Sequence, residues 1–317
     1  MRRPLVSITI DTEADHNARW WKRRPFRFDS ITSGIPEILV PLFRRHGAHA
    51  TYLLTTEVLD HAPSVEVLGG LSGAELGTHL HGTEAESELT PEGGPNYVYT
   101  CFYGEEVERQ KIAALTQQFH DRLGVAPRSF RAGRYAASGT TARTLASLGY
   151  SVETSVTPGI VWQNEVHPEQ RLDFREAPLF PYRPSAEDLA REGSLPIWEV
   201  PITILPAPRG LELAADLARR RRERSPRRPL WLRPSTTPLP GLLWIAAEAT
   251  RRAWLKRRVP VLNIMFHSME FVPGASPYAT TDADVRRLTR RLDALLHALG
   301  AAGARFVPLT AIPELLA

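Results

Sequence analysis

Apolar and polar positions along this chain follow two rhythms, one of period two and one helical. Residues 5–10 form a short run rich in β-branched side chains, the pattern of a strand. Residues 33–45 predict a helix that stops at Gly47, a residue suited to the left-handed end of a helix. Residues 48–55 predict a second strand, and residues 75–81 a third, after the Gly69-Gly70 turn. The next helix spans 105–122, with Val107, Leu115 and Phe119 on one side and Gly124 as its stop. A strand over 128–131 and a helix over 140–148 follow. Residues 259–266 form an apolar run that predicts a late strand. The most regular helix covers 282–299, where Val285, Leu288, Leu292, Leu295, Leu296 and Leu299 recur at helical spacing. A strand over 305–307 and a terminal helix close the chain.

Strands alternating with helices predict a parallel sheet, either a barrel or an open doubly wound sheet. Both arrangements present functional residues at the C-terminal ends of the strands. No internal repeat is visible. The stretch 157–240 is irregular and rich in Pro and aromatic residues. It is read as a long insertion or lid within one domain covering 1–317, because long loops in compact domains are usually functional.

Composition narrows the class. A chain of 317 residues with 43% hydrophobic content suits one large α/β barrel with a sizeable core. The net charge of +4 rests on arginine, since Lys22, Lys111 and Lys256 are the only lysines. Arginine grips carboxylate and phosphate with a planar fork, so an acidic substrate is conceivable; a GC-rich genome explains the same bias. The basic run at 219–228 reads as a solvated helix end and loop, because no nucleic-acid-binding motif accompanies it. No nucleic-acid partner is expected. The single cysteine, Cys101, forms no intrachain disulfide and sits in no small-residue elbow, so it reads as a buried or loop thiol. That cysteine usage, an N-terminal apolar run interrupted by Asp11 and the lack of any stretch of transmembrane length predict a cytoplasmic protein without a membrane span.

Four strand ends carry the candidate chemistry. In Ile8-Thr9-Ile10-Asp11-Thr12-Glu13-Ala14-Asp15 an apolar strand runs into acids. Period two puts Asp11 and Glu13 on one face, and Asp15 joins them if the chain stays extended. Crowded carboxylates repel, and a cation relieves the repulsion; alone, the segment also reads as a strand exit with solvated acids. In Glu75-Leu76-Gly77-Thr78-His79-Leu80-His81-Gly82 the same spacing puts His79 and His81 together, and imidazole pairs are common metal ligands. Arg131, in Ser129-Phe130-Arg131-Ala132-Gly133-Arg134-Tyr135, can orient a carboxylate by a bidentate hydrogen bond, or belongs to a surface Arg pair. The apolar run Val261-Leu262-Asn263-Ile264-Met265-Phe266 delivers His267 at its end, as a ligand-facing or a half-buried core imidazole. Taken together, the four segments have the pattern of one site assembled from distant strands.

In this order, the segments resemble the signature motifs of the NodB-homology polysaccharide deacetylases, carbohydrate esterase family four. The resemblance spans roughly residues 5–278 and is loose over 157–260. It implies a distorted (β/α) barrel of about seven parallel strands, NodB-like, with a long irregular insertion. It gives Asp11 the role of catalytic base and Glu13 that of metal ligand, with Thr12 where the family places a second Asp. His79 takes the first metal-histidine position. Thr83 stands at the usual second position, four residues on, and His81 serves in its place. Arg131 is implied to hold Asp11, and the Arg134 backbone N–H to face an oxyanion. Met265-Phe266-His267-Ser268 makes His267 the general acid. The cofactor implied is a divalent metal, zinc first, with cobalt, nickel and manganese as alternatives. The implied reaction is hydrolysis of an N-acyl group, N-acetyl first, on a sugar, nucleotide-sugar, lipid-linked sugar or glycan in surface-polysaccharide biosynthesis. Arg134, Tyr135 and Trp20, with Trp21 and Arg233 beside them, are candidates to grip that substrate. Two other readings stand beside it: a deformylase or non-sugar amide hydrolase of the same fold, and a non-catalytic sugar-binding homologue.

Overall fold

The computed structural model describes residues 2–22, 24–82, 99–208 and 229–317. Seven parallel strands form one curled sheet: β1 (Leu5–Thr12), β2 (Ala50–Leu54), β3 (Glu75–Leu80), β4 (Ser129–Ala132), β5 (Val152–Glu153), β8 (Trp198–Glu199) and β11 (Val261–His267). Their spatial order is β11-β1-β2-β3-β4-β5-β8, and β12 (Arg305–Phe306) adds to β1. Two antiparallel pairs lie outside the sheet, β6 (Val161–Gln163) with β7 (Arg171–Asp173) and β9 (Ile204–Pro206) with β10 (Pro229–Trp231). The result is the distorted barrel of about seven parallel strands that the family resemblance implies.

Every residue of β1 is buried. A strand with both faces covered reads as continuous apolar sequence, as parallel strands wrapped by helices do. The outer cover includes the helices Glu105–Leu123, Gly139–Ser147, Leu239–Leu255 and Asp282–Ala301. The last of these buries Val285, Leu288, Leu292, Leu295, Leu296 and Leu299, the predicted stripe. The predicted helix over 33–45 starts earlier, as a wide-turned segment Ser30–Leu39 that runs into Val40–His46 and ends at Gly47 with φ 57°.

Inside the curl, polar side chains tie strands together. Thr9 Oγ1 donates to Asn263 Oδ1 (2.9 Å), Asn263 Nδ2 donates to Thr154 Oγ1 (2.8 Å), and Thr154 Oγ1 donates to the Val200 carbonyl (2.6 Å). The Thr203 N–H donates to the Asn263 carbonyl, bridging from the chain after β8 to β11 across the open edge. These satisfied buried groups fix the curl, and with it the relative position of the strand ends.

The short strands β5 and β8 and the helix Leu239–Leu255 escape the sequence pattern. The stretch 157–240 does more than cover the barrel, since it supplies β8 to the sheet. Its basic run at 219–228 lies outside the described residues, as does Thr83. No helix among the described residues is long and apolar enough to cross a membrane.

Candidate active site

Strand register brings the candidate residues together. β1 and β11 pair with Asp11 beside His267, and β3 and β4 pair with His79 beside Arg131. All four lie at C-terminal strand ends, where a curled parallel sheet opens into a cleft. A cavity of about 570 Å³ sits there, bordered by Asp11, Glu13, His79, His81, Arg134 and His267.

Arg131 is fully buried. Its Nη1 donates to Asp11 Oδ1 (2.6 Å), its Nη2 to Thr9 Oγ1 (2.7 Å) and its Nε to the Thr154 carbonyl (2.9 Å). Burial alone would raise the Asp11 pKa, but the Arg131 charge, with His79 and His267, holds it below the ordinary carboxylate value. Asp11 is therefore an ionised carboxylate whose second oxygen faces His267 Nε2 at 3.8 Å.

Glu13, His79 and His81 form a compact set of metal-type donors. Glu13 Oε1 is 3.5 Å from His79 Nε2, Glu13 Oε2 is 3.3 Å from His81 Nε2, and the two imidazole nitrogens are 3.2 Å apart. Ligands about 2.0–2.1 Å from a tetrahedral centre are about 3.3–3.4 Å from one another, so these spacings fit. His79 Nδ1 lies 3.0 Å from the Arg131 carbonyl and donates to it, which leaves Nε2 facing Glu13. Glu13 Oε2 is buried and receives no hydrogen bond among the described residues, although Lys22 and His81 lie within ion-pair distance. A buried carboxylate beside two imidazoles is the donor chemistry of a cation site. Burial opposes protonation of His79, yet Asp11 and Glu13 raise its pKa, so a proton competes with a metal there.

His81 reaches this position because of Gly133. A Cβ on Gly133 would stand 2.7 Å from His81 Cγ and 2.9 Å from its Cδ2 and Nδ1, closer than side chains pack. Gly133→Ala must therefore push the imidazole aside. Displacing such a ligand is expected to weaken divalent-cation binding by about 10–100-fold, measured by titration against a chelating indicator. Binding within twofold of wild type would show that His81 is not held there.

On the opposite side, His267 Nδ1 lies 3.1 Å from Glu270 Oε1, and Arg233 forms a salt bridge with the same carboxylate. Glu270 is fully buried. Burial acts to raise its pKa, but Arg233 and then His267 keep it below the usual value. An ionised Glu270 accepts from Nδ1 and so orients the ring, leaving Nε2 toward the cleft. Sequence reasoning missed Glu270, although it sits three residues after His267 in the turn Ser268–Phe271.

The remaining candidates divide. Trp20 packs near His267 (ring centroids 5.0 Å) and Tyr278 (5.5 Å), forming part of the cleft wall. Tyr135 is buried, stacks on Trp162 at 5.2 Å and also lines the cleft. Arg134 lines the cleft with a left-handed backbone (φ 54°). Trp21 and Arg233 also line it, and Arg233 is tied up with Glu270. Asp15 does not join the acids: its carboxylate turns away to accept the backbone N–H of Asp29 (2.8 Å) and Ser30 (3.3 Å). Three neighbours of Glu13 were not anticipated: His16 at 3.8 Å, Lys22 at 3.1 Å, and Glu57 bound through Lys22. Cys101 does not line the cleft, and burial pushes its thiol up to about 12.

No family model and no curated protein matches this sequence. Solved structures do match it. A provisionally assigned polysaccharide deacetylase from Mycobacterium smegmatis aligns over 99% of this chain and 90% of its own, at 12% identity and a TM-score of 0.52. A family 4 carbohydrate esterase from Streptomyces lividans, in complex with acetate, aligns over 96% and 93% (10% identity, TM-score 0.44). A CE4-family pseudoenzyme from Bacillus anthracis aligns over 99% of this chain and 66% of its own (9% identity, TM-score 0.46). At such identities the first of these speaks to architecture alone, and it agrees with the curled seven-stranded sheet: this chain has a NodB-like polysaccharide-deacetylase fold.

Proposed function

We propose that the protein is a divalent-metal-dependent hydrolase that removes an N-acyl group, N-acetyl first, from a sugar or glycan precursor. The observation that carries this reading is the meeting of three units in one cleft: the Glu13–His79–His81 donor set, the Arg131-held Asp11 and the Glu270-held His267. Two imidazoles and a carboxylate suit zinc first, with cobalt, nickel and manganese acceptable to the same donors. A bound cation supplies Lewis-acid polarisation of the acyl oxygen and an acidified water.

The chain's own residues do the proton work. Asp11, ionised and fixed through Oδ1 by Arg131, accepts a proton from the attacking water at Oδ2. His267 gives a proton from Nε2 to the departing nitrogen while Glu270 holds Nδ1. The peptide N–H of Arg134 is assigned to the developing oxyanion. Trp20, Tyr278, Tyr135 and Trp162 line the cleft and offer aromatic surface against which a sugar ring packs. The single cysteine agrees with a cytoplasmic setting, and a role in surface-polysaccharide synthesis is part of the same reading.

The test is acetate release from N-acetylglucosamine oligomers and nucleotide-linked N-acetyl sugars, with parallel formyl substrates. Turnover that needs added zinc or cobalt and stops with chelator is expected. Turnover unaffected by thorough chelation would reject metal dependence, and release from no N-acyl sugar with the cation bound would reject the substrate class.

A further inference from the structure

Lysine is rare in this chain, with three copies against 36 arginines, yet one lies at the candidate metal centre. The Lys22 side chain is 6% exposed, and its ammonium sits 3.1 Å from Glu13 Oε2 and 2.7 Å from Glu57 Oε1. The Glu57 side chain is itself 9% exposed and comes from the first turn of the helix Thr56–Asp60, directly after β2. A compact ammonium therefore bridges two buried carboxylates, one of which belongs to the donor set.

Charge around the centre resolves into pairs. Asp11 is matched by Arg131, and Glu270 by Arg233. Among the described residues, the ion-paired set of Lys22, Glu13 and Glu57 sums, with neutral imidazoles, to one negative charge. Without Glu57, the ammonium would cancel Glu13, and a divalent cation would enter a neutral site beside a positive charge.

We propose that Glu57 is the counter-charge of Lys22, and that the Glu57–Lys22 pair sets the affinity of the Glu13–His79–His81 centre for a divalent cation. Lys22 pairs with Oε2 of Glu13 and opposes a cation there through its charge. Glu57 takes up its charge and leaves Glu13 available to the metal. This rests on the metal reading of the preceding section.

The test is a zinc titration of the full chain at pH 7, followed by calorimetry or a competing chelator, on wild type, Glu57→Gln, Lys22→Met and the double variant. The net charge of the three side chains runs −1, 0, −2 and −1 in that order. Glu57→Gln should weaken zinc binding by about tenfold or more, since a unit charge a few ångströms away in a buried site acts on that scale. Lys22→Met should bind at least as tightly as wild type, and the double variant should return to within about threefold of it. A merely structural role predicts losses in every variant, with the double worst. Glu57→Gln binding like wild type, or a double variant weaker than Glu57→Gln, overturns the proposal. If Glu57→Gln does not fold, the step from Lys22→Met to the double variant reads the same charge, and no weakening there overturns it. A wild type that binds no zinc removes the metal reading and this inference together; zinc bound equally by all four removes only the inference.

Discussion

Arg131→Met is expected to destabilise the protein by about 3–5 kcal/mol, the usual consequence of leaving one partner of a buried ion pair alone. Arg131 is fully buried, and its guanidinium makes three hydrogen bonds: to Asp11, Thr9 and the Thr154 carbonyl. Methionine fills much of the same space, so lost volume is a minor part of the effect. The larger part comes from Asp11, which keeps its charge in a buried place without its counter-ion, and from the hydrogen bonds lost at the Thr154 carbonyl and the Thr9 hydroxyl. Denaturant unfolding at neutral pH measures the change. Adding Asp11→Asn to Arg131→Met should recover part of the loss, because no buried charge then lacks a partner. A loss below about 1 kcal/mol would mean the pair is better solvated than its burial implies. Activity should fall with the pair, since Arg131 fixes both the position and the ionisation of Asp11.

Asp11→Asn alone should reduce kcat by about 10²–10⁴, the span usual for removal of a positioned general base. Asparagine keeps an oxygen for Arg131 but takes no proton from water. Asp11 is not among the Glu13–His79–His81 donors, so zinc affinity and KM should stay close to wild type. A variant that loses zinc instead of kcat would move Asp11 from base to ligand. A variant that keeps kcat would leave the account without a base.

The sequence pattern carried much of this site. Period two was enough to pair Asp11 with Glu13 and His79 with His81, because strand side chains alternate and the chain stays extended through each pair. The run ending at His267 was legible because an apolar strand gives way abruptly to polar residues. The same rule failed at Asp15, where the chain has left the strand and the carboxylate accepts from Asp29 and Ser30. Lys22 and Glu57 lie 35 residues apart, and nothing local marks either as part of the centre. The role of Gly133 depends on a ring from a neighbouring strand and has no sequence signature. Strands β5 and β8 are two residues long, too short for any periodicity to show. The long reach of 157–240 hid that part of it closes the row of strands.

The replacement of a four-residue histidine spacing by His79 and His81 is the feature on which the metal reading turns. The geometry is coherent: both nitrogens face Glu13, one imidazole is oriented by the Arg131 carbonyl, and Gly133 makes room for the other. The most direct measurement is the zinc stoichiometry of the purified full chain after chelation and reconstitution, compared with His79→Ala. One zinc per chain in wild type, abolished by His79→Ala, is the predicted result. No bound zinc in wild type, or an undiminished stoichiometric zinc in His79→Ala, would contradict it.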